Sequence, residues 1–160
     1  MLFPESVYKF MFEALNLAEQ ALFLGEVPIG AVVVYNNKVI GKGFNQTETL
    51  KDPTAHAEMI AITAASNYLQ EKVLTNCALY VTAEPCIMCS GAVLLSRIKT
   101  VYFGTYEPKF GAVGSLYNLL VKSKYNHQPE IFEGIYSEES KSLLQKYFSA
   151  KRIKSDSRLN

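Results

Sequence analysis

His56, Glu58, Cys86 and Cys89 are the residues of this chain whose types and spacing could do chemistry. One imidazole and the two thiols of a CxxC are three ligands of the kinds zinc prefers. A structural zinc site closes with four protein ligands, whereas a catalytic one keeps a position open for water. Three ligands, with a carboxylate two residues from the imidazole, therefore read as a hydrolytic centre holding one Zn²⁺. The metal would activate the water, and Glu58 is placed to take its proton as a base and return it as an acid. A lone histidine is more often structural than a ligand. Here the chain has only His56 and His127, and the CxxC downstream favours the ligand reading for His56.

The flanking sequence says which elements must hold these groups. Asp52-Pro53-Thr54-Ala55-His56 is a helix-start signal in which Asp52 or Thr54 can cap, and the apolar residues after Glu58 continue that helix. Ala78-Leu79-Tyr80-Val81-Thr82-Ala83 reads as a strand, and Pro85 as the first residue of a second helix that carries Cys86 and Cys89 on one face of its first turn. A helix N-terminus favours negative charge, so both thiols should be held as thiolates. Upstream, residues 5–24 have the spacing of an amphipathic helix, with Ser6 as a cap and Gly25 as a stop. Gly30–Tyr35 and Lys38–Phe44 are strands joined by Asn36-Asn37, a hairpin turn. Asn45 follows, and by itself it reads as a turn residue bonding its own backbone.

Downstream, Thr100–Gly104 is a fourth strand, and the loop from Thr105 to Gly111 carries charge and aromatics where α/β folds place substrate contacts. A short helix is expected over 116–121, a fifth strand over 130–135, and a last helix from Ser137 with Leu143, Leu144, Tyr147 and Phe148 as its apolar stripe. The residues from Ile153 onward read as a basic, frayed tail. Cys77 reads as a small buried hydrophobe. Five strands alternating with helices predict a three-layer α/β/α domain over residues 1–152 with a tail over 153–160.

Composition narrows the class. The chain has 160 residues, 49% hydrophobic and 19% charged, which fits one domain with its own core and excludes a disordered chain. No apolar run is long enough to span a bilayer, so no membrane contact is expected. The first residues lack the basic-then-apolar pattern of an export signal, and a CxxC outside a disulfide framework fits a reducing compartment, so a cytoplasmic location is expected. The net charge of +1 conceals an asymmetry. Lys141, Lys146, Lys151, Arg152, Lys154 and Arg158 face only Asp156 in the last twenty residues. Such an end is either a contact for a polyanion or a solvated helix terminus with cations at its negative dipole end.

The paired pattern His-x-Glu and Pro-Cys-x-x-Cys is similar to the signature of the zinc nucleobase deaminases. The wider sequence, through Asp52–Met59, Leu79–Thr82, Glu84–Cys89, Ser96–Ile98, Gly111–Leu116, Asn126-His127 and Tyr147-Phe148 with Lys151-Arg152, resembles the bacterial tRNA-specific adenosine deaminases over about residues 6–152. That resemblance implies a cytidine-deaminase-like fold with a five-stranded mixed sheet, a homodimer, and conversion of adenosine to inosine at the wobble position of a tRNA anticodon stem-loop. It places the zinc ligands on His56, Cys86 and Cys89 and the proton shuttle on Glu58. It makes Asn45 a base-contacting residue instead of a turn residue, and puts Glu107 and Lys109 in the loop near the substrate. It also puts Phe148, Lys151 and Arg152 where the family's last helix helps hold RNA. The chain departs from the family at Glu107, usually Asp, at Phe110, usually small and polar, and at Ala83, usually leucine. The alternative is a deaminase of a free nucleobase or nucleoside, which shares the zinc pattern. A zinc-stabilised RNA-binding module without catalysis has no use for Glu58 or an open ligand position.

Overall fold

The computed structural model describes residues 1–121 and 124–158. Helix α1 spans Glu5–Phe23, strands β1 and β2 span Gly30–Tyr35 and Lys38–Phe44, and a short helix α2 spans Thr47–Leu50. Helix α3 spans Ala57–Leu69, β3 Cys77–Ala83, α4 Ile87–Ser96, β4 Thr100–Thr105, β5 Glu130–Glu133 and α5 Ser137–Asp156. The sheet order is β2-β1-β3-β4-β5. β1 runs antiparallel to both β2 and β3, while β3, β4 and β5 are parallel. The expected five-stranded mixed sheet is therefore present.

The sheet buries both faces, as the nearly unbroken apolar runs of β1 and β3 require. Ala31, Val33, Leu79, Val81, Val101 and Phe103 pack under α3 and α4. Val32, Val34 and Tyr80 pack on the opposite face against Val7, Phe10, Met11 and Ala14 of α1, and Leu143 of α5 closes against Leu15 and Ala18. The layers are those of a three-layer α/β/α domain. The hairpin turns as expected: Asn36 and Asn37 both have left-handed backbone, φ 47° and 60°, the requirement of a two-residue type I′ turn.

Strand register decides where the chemistry can sit. Gly30 lies opposite Phe44, Ala31 opposite Val81 and Ala83 opposite Thr105. The C-terminal ends of β2, β3 and β4 therefore share one edge of the sheet. Asn45, Glu84 and Tyr106 leave the sheet there, in the position α/β folds use for ligands. Helix α3 is drawn to the same edge by a close approach to β2. A Cβ on Gly43 would lie 2.2 Å from the Ala57 carbonyl oxygen, so only glycine lets the first turn of α3 settle there.

Several local expectations are corrected. Pro4, not Ser6, precedes the first turn of α1. α3 begins one residue after His56, and Asp52 instead closes a turn by accepting from the Thr54 N–H and hydroxyl at 2.8 and 2.7 Å. Pro85 lies outside α4, whose N-cap is Cys86. β5 stops at Glu133, and α5 runs on to Asp156, past the expected start of the tail, with Leu159 and Asn160 outside the described residues. Residues 116–121 are not helical. Their N–H groups are used across the loop instead: Leu116 N–H donates to Gly111 O, Leu119 N–H to Ala112 O, and Val113 bridges Asn118. Apolar spacing alone could not register that competition.

Candidate active site

His56 and Cys86 occupy equivalent positions, each the N-cap of a helix and each in extended backbone, φ −78° and −75°. Extended caps turn their side chains off the helix axis, and here the two turn toward each other. His56 Nδ1 lies 3.5 Å from Cys86 Sγ and 3.6 Å from Cys89 Sγ. A tetrahedral zinc with ordinary Zn–S and Zn–N bonds spaces such a nitrogen and sulfur about 3.6 Å apart. The three donor atoms lie within 4.8 Å of one another, and no fourth His, Cys, Asp or Glu joins them among the described residues. Donor set, spacing and coordination number all fit one zinc with an open position.

Electrostatics agree with a cation between these groups. The Cys86 thiol is pulled down to about 4, chiefly by its hydrogen bond with the Cys89 thiol, with His56 and the Cys89 N–H adding to this against the cost of burial. Cys89 is pushed up, first by the neighbouring Cys86 and then by burial and Glu58. His56 is raised, chiefly by its hydrogen bond with Cys86. Two adjacent thiols do not readily ionise together, and a divalent cation removes that conflict. Glu58, in the first turn of α3, is buried beside Cys89, and burial is the main cause that pushes its carboxyl up to about 7. That value suits a group that must both accept and release a proton near neutrality.

Asn45 is buried just beyond β2, where its N–H donates to Ile29 O. The next residue, Gln46, donates to the carbonyl of Ala55, which tethers the Asn45 corner to the segment leading into His56. Glu107 bonds locally, its carboxylate accepting the Lys109 N–H at 2.9 Å. Lys109 reaches α5, with Nζ 5.8 Å from the Phe148 ring centroid, and Lys151 sits 5.7 Å from the ring of Tyr147. Lys109 and Phe148, far apart in sequence, therefore meet. Arg152 is exposed on α5. Cys77 is buried, and burial holds its thiol up at about 11.

Two buried carboxylates escaped the sequence reading. Glu26, fully buried, accepts the N–H of Glu48 and the N–H and hydroxyl of Thr49, pinning α2 between Asn45 and His56. Burial alone would raise its pKa, but the hydrogen bonds from Thr49 and Glu48 outweigh it and the net shift is downward. Glu84 is buried between β3 and Cys86 and accepts hydrogen bonds from residues 107, 113 and 115. Glu26 lies in no recognisable motif, and Glu84 directly precedes the Pro-Cys-x-x-Cys pattern without a role assigned to it by sequence.

The model of the zinc-binding region of cytidine and deoxycytidylate deaminases matches residues 4–105, which include all three ligands and Glu58. The chain belongs to the cytidine and deoxycytidylate deaminase family. Within it, the chain is 45% identical over 145 residues to a tRNA-specific adenosine deaminase of Bacillus subtilis, covering 91% of this chain and 90% of that one. It is 46% identical over 143 residues to the enzyme of the same name from Aquifex aeolicus, covering 89% and 94%. A solved structure from a study of A-to-I editing by tRNA:A34 deaminases superposes with a TM-score of 0.82 at 40% identity, covering 85% of this chain and 99% of that one.

Proposed function

We propose that this family member deaminates adenosine to inosine, with release of ammonia, at the wobble position of a tRNA anticodon. The observation that carries the chemistry is the carboxyl of Glu58, buried beside a zinc-type cluster that has three protein ligands among the described residues. The substrate is supported by similarity to tRNA-specific adenosine deaminases along about nine-tenths of the chain. Zinc held by His56, Cys86 and Cys89 would supply Lewis-acid activation of the attacking water. Glu58 takes a proton from that water and passes it to the ring nitrogen, then takes the proton of the newly added hydroxyl and delivers it to the departing amine, which leaves as ammonia. Asn45 contacts the base, and Glu107 and Lys109 face the neighbouring nucleotides. Phe148, Lys151 and Arg152 hold the anticodon stem-loop through charge and stacking, as RNA loops with unstacked bases are held.

Residues 1–152 form the deaminase domain in this reading, and the basic residues beyond continue its RNA-facing helix. The active protein is a cytoplasmic homodimer with one zinc per subunit. Ile87 and Leu95, 60% and 84% exposed on α4, offer an apolar face for a second copy to cover, and sedimentation will give the stoichiometry. The function is tested by incubating the zinc-loaded protein with total tRNA and sequencing for inosine. Wobble inosine that disappears with Glu58→Ala supports the reading. Turnover of a free base or nucleoside with no inosine in any tRNA overturns it.

A further inference from the structure

The Glu84 carboxylate has a set of partners that the end of a strand does not need. Oε1 accepts the N–H groups of Val113 and Ser115, each at 2.9 Å. Oε2 accepts the N–H of Glu107 at 3.0 Å and the hydroxyl of Ser115. The residue is buried, and no lysine or arginine forms an ion pair with it among the described residues. A buried carboxylate is costly unless its lone pairs are filled, and here backbone N–H groups from one loop fill most of them. The loop approaches unusually closely to do so. A Cβ on Gly111 would lie 2.2 Å from Glu84 Oε2, so the chain can wrap the carboxylate only with glycine at that position.

The same wrap grips the metal-binding segment from both sides. Glu84 N–H donates to Thr105 O at 2.8 Å, Ala112 N–H donates to Pro85 O at 2.9 Å, and Gly111 bridges Cys86. Glu84 is thus the anion around which residues 107–115 fold, two positions from a zinc ligand. Glu107, Lys109 and the 70%-exposed Phe110 ride on that loop.

We infer that Glu84 is a positioning residue that sets the substrate-facing loop against the metal centre through its hydrogen bonds to Glu107, Val113 and Ser115. The inference deepens the proposed function and rests on it for the identity of the substrate. Replacing one oxygen with an amide turns two acceptor directions into donors that face the loop's own donors, so Glu84→Gln loosens the loop without vacating the space.

The test uses the zinc-loaded full chain. For Glu84→Gln, KM for an anticodon stem-loop should rise roughly tenfold with kcat changing far less, as expected when loop ordering is lost. Zinc stoichiometry should stay at the wild-type value, and amide exchange should accelerate across residues 107–115. Ser115→Ala, an exposed site that removes only one donor, should give the same pattern at lower amplitude and serves where Glu84→Gln does not fold. A fall in kcat at unchanged KM, or unchanged exchange in 107–115, overturns the inference. Absence of inosine with the wild-type protein would sink the functional reading instead, and the exchange measurement, which needs no substrate, would still decide the role of Glu84.

Discussion

Glu58 and Cys86, at the starts of two different helices, are held in opposite protonation regimes. Burial pushes the Glu58 carboxyl up to about 7, while the Cys89 thiol and His56 pull the Cys86 thiol down to about 4. A general base must be deprotonated in the free enzyme, so kcat/KM should rise with pH through an acid limb near the Glu58 value of about 7, which a pH–rate profile measures. Glu58→Gln should keep its zinc and lose on the order of 10²–10⁴ in kcat. Removing zinc with a chelator should abolish turnover and expose a reactive thiolate. Iodoacetamide should then modify Cys86 near neutral pH while buried Cys77, held up at about 11, stays unmodified, and restored zinc should protect Cys86. Mass spectrometry of the peptides distinguishes the two sites.

At the scale of elements, two devices carry the site. The first is the seat of α3 on β2. Gly43→Ala would force the Cβ into the Ala57 carbonyl, so the start of α3 must move together with His56 and Glu58. The expected cost is about 1–3 kcal/mol in urea unfolding, with weaker zinc retention in competition against a chelator. The second is Glu26, which holds α2 through three hydrogen bonds. Glu26→Ala leaves the Glu48 and Thr49 N–H groups without that acceptor and should cost about 1–3 kcal/mol. The pH sign follows from its lowered pKa. Glu26 binds fewer protons folded than unfolded, so its contribution is in place above the ordinary carboxyl value of 4.5 and is lost as pH falls through the lower folded value. The difference in stability between wild type and Glu26→Gln should therefore shrink on acidification.

For the whole molecule, the relevant quantity is the distribution of charge. The excess of cations lies on α5 beside the loop that reaches Phe148, so an RNA docked at the sheet edge would meet it along one side. Truncation of residues 149–160 should weaken tRNA binding and flatten its dependence on salt while leaving the zinc content unchanged. Lys151→Ala alone should reduce the slope of log affinity against log salt by about one. A free-base deaminase would be indifferent to both changes.

The zinc-type donor set and the layered fold were legible in the amino-acid sequence. A His-x-Glu and a Pro-Cys-x-x-Cys constrain chemistry through residue type and short spacing, and apolar periodicity constrains the number and kind of elements. Helix starts were legible only to within a residue or two, because a cap is decided by where the side chain turns. His56 and Cys86 turn toward a metal site instead of continuing into their helices. Residues 116–121 had the apolar content of a helix and became a loop, because Glu84 and Gly111 compete for their neighbours' backbone N–H groups. Glu26 and Glu84 were invisible as functional positions, since a buried carboxylate acquires its meaning from donors that arrive from distant segments. The tertiary structure alone decided that β2, β3 and β4 end at one edge, that His56 meets the CxxC at 3.5 Å, and that the loop of residues 107–115 is fastened to the segment before the CxxC. Residue types and short spacings specify which chemistry is available, whereas strand register and long-range hydrogen bonds specify which groups share a place in which to perform it.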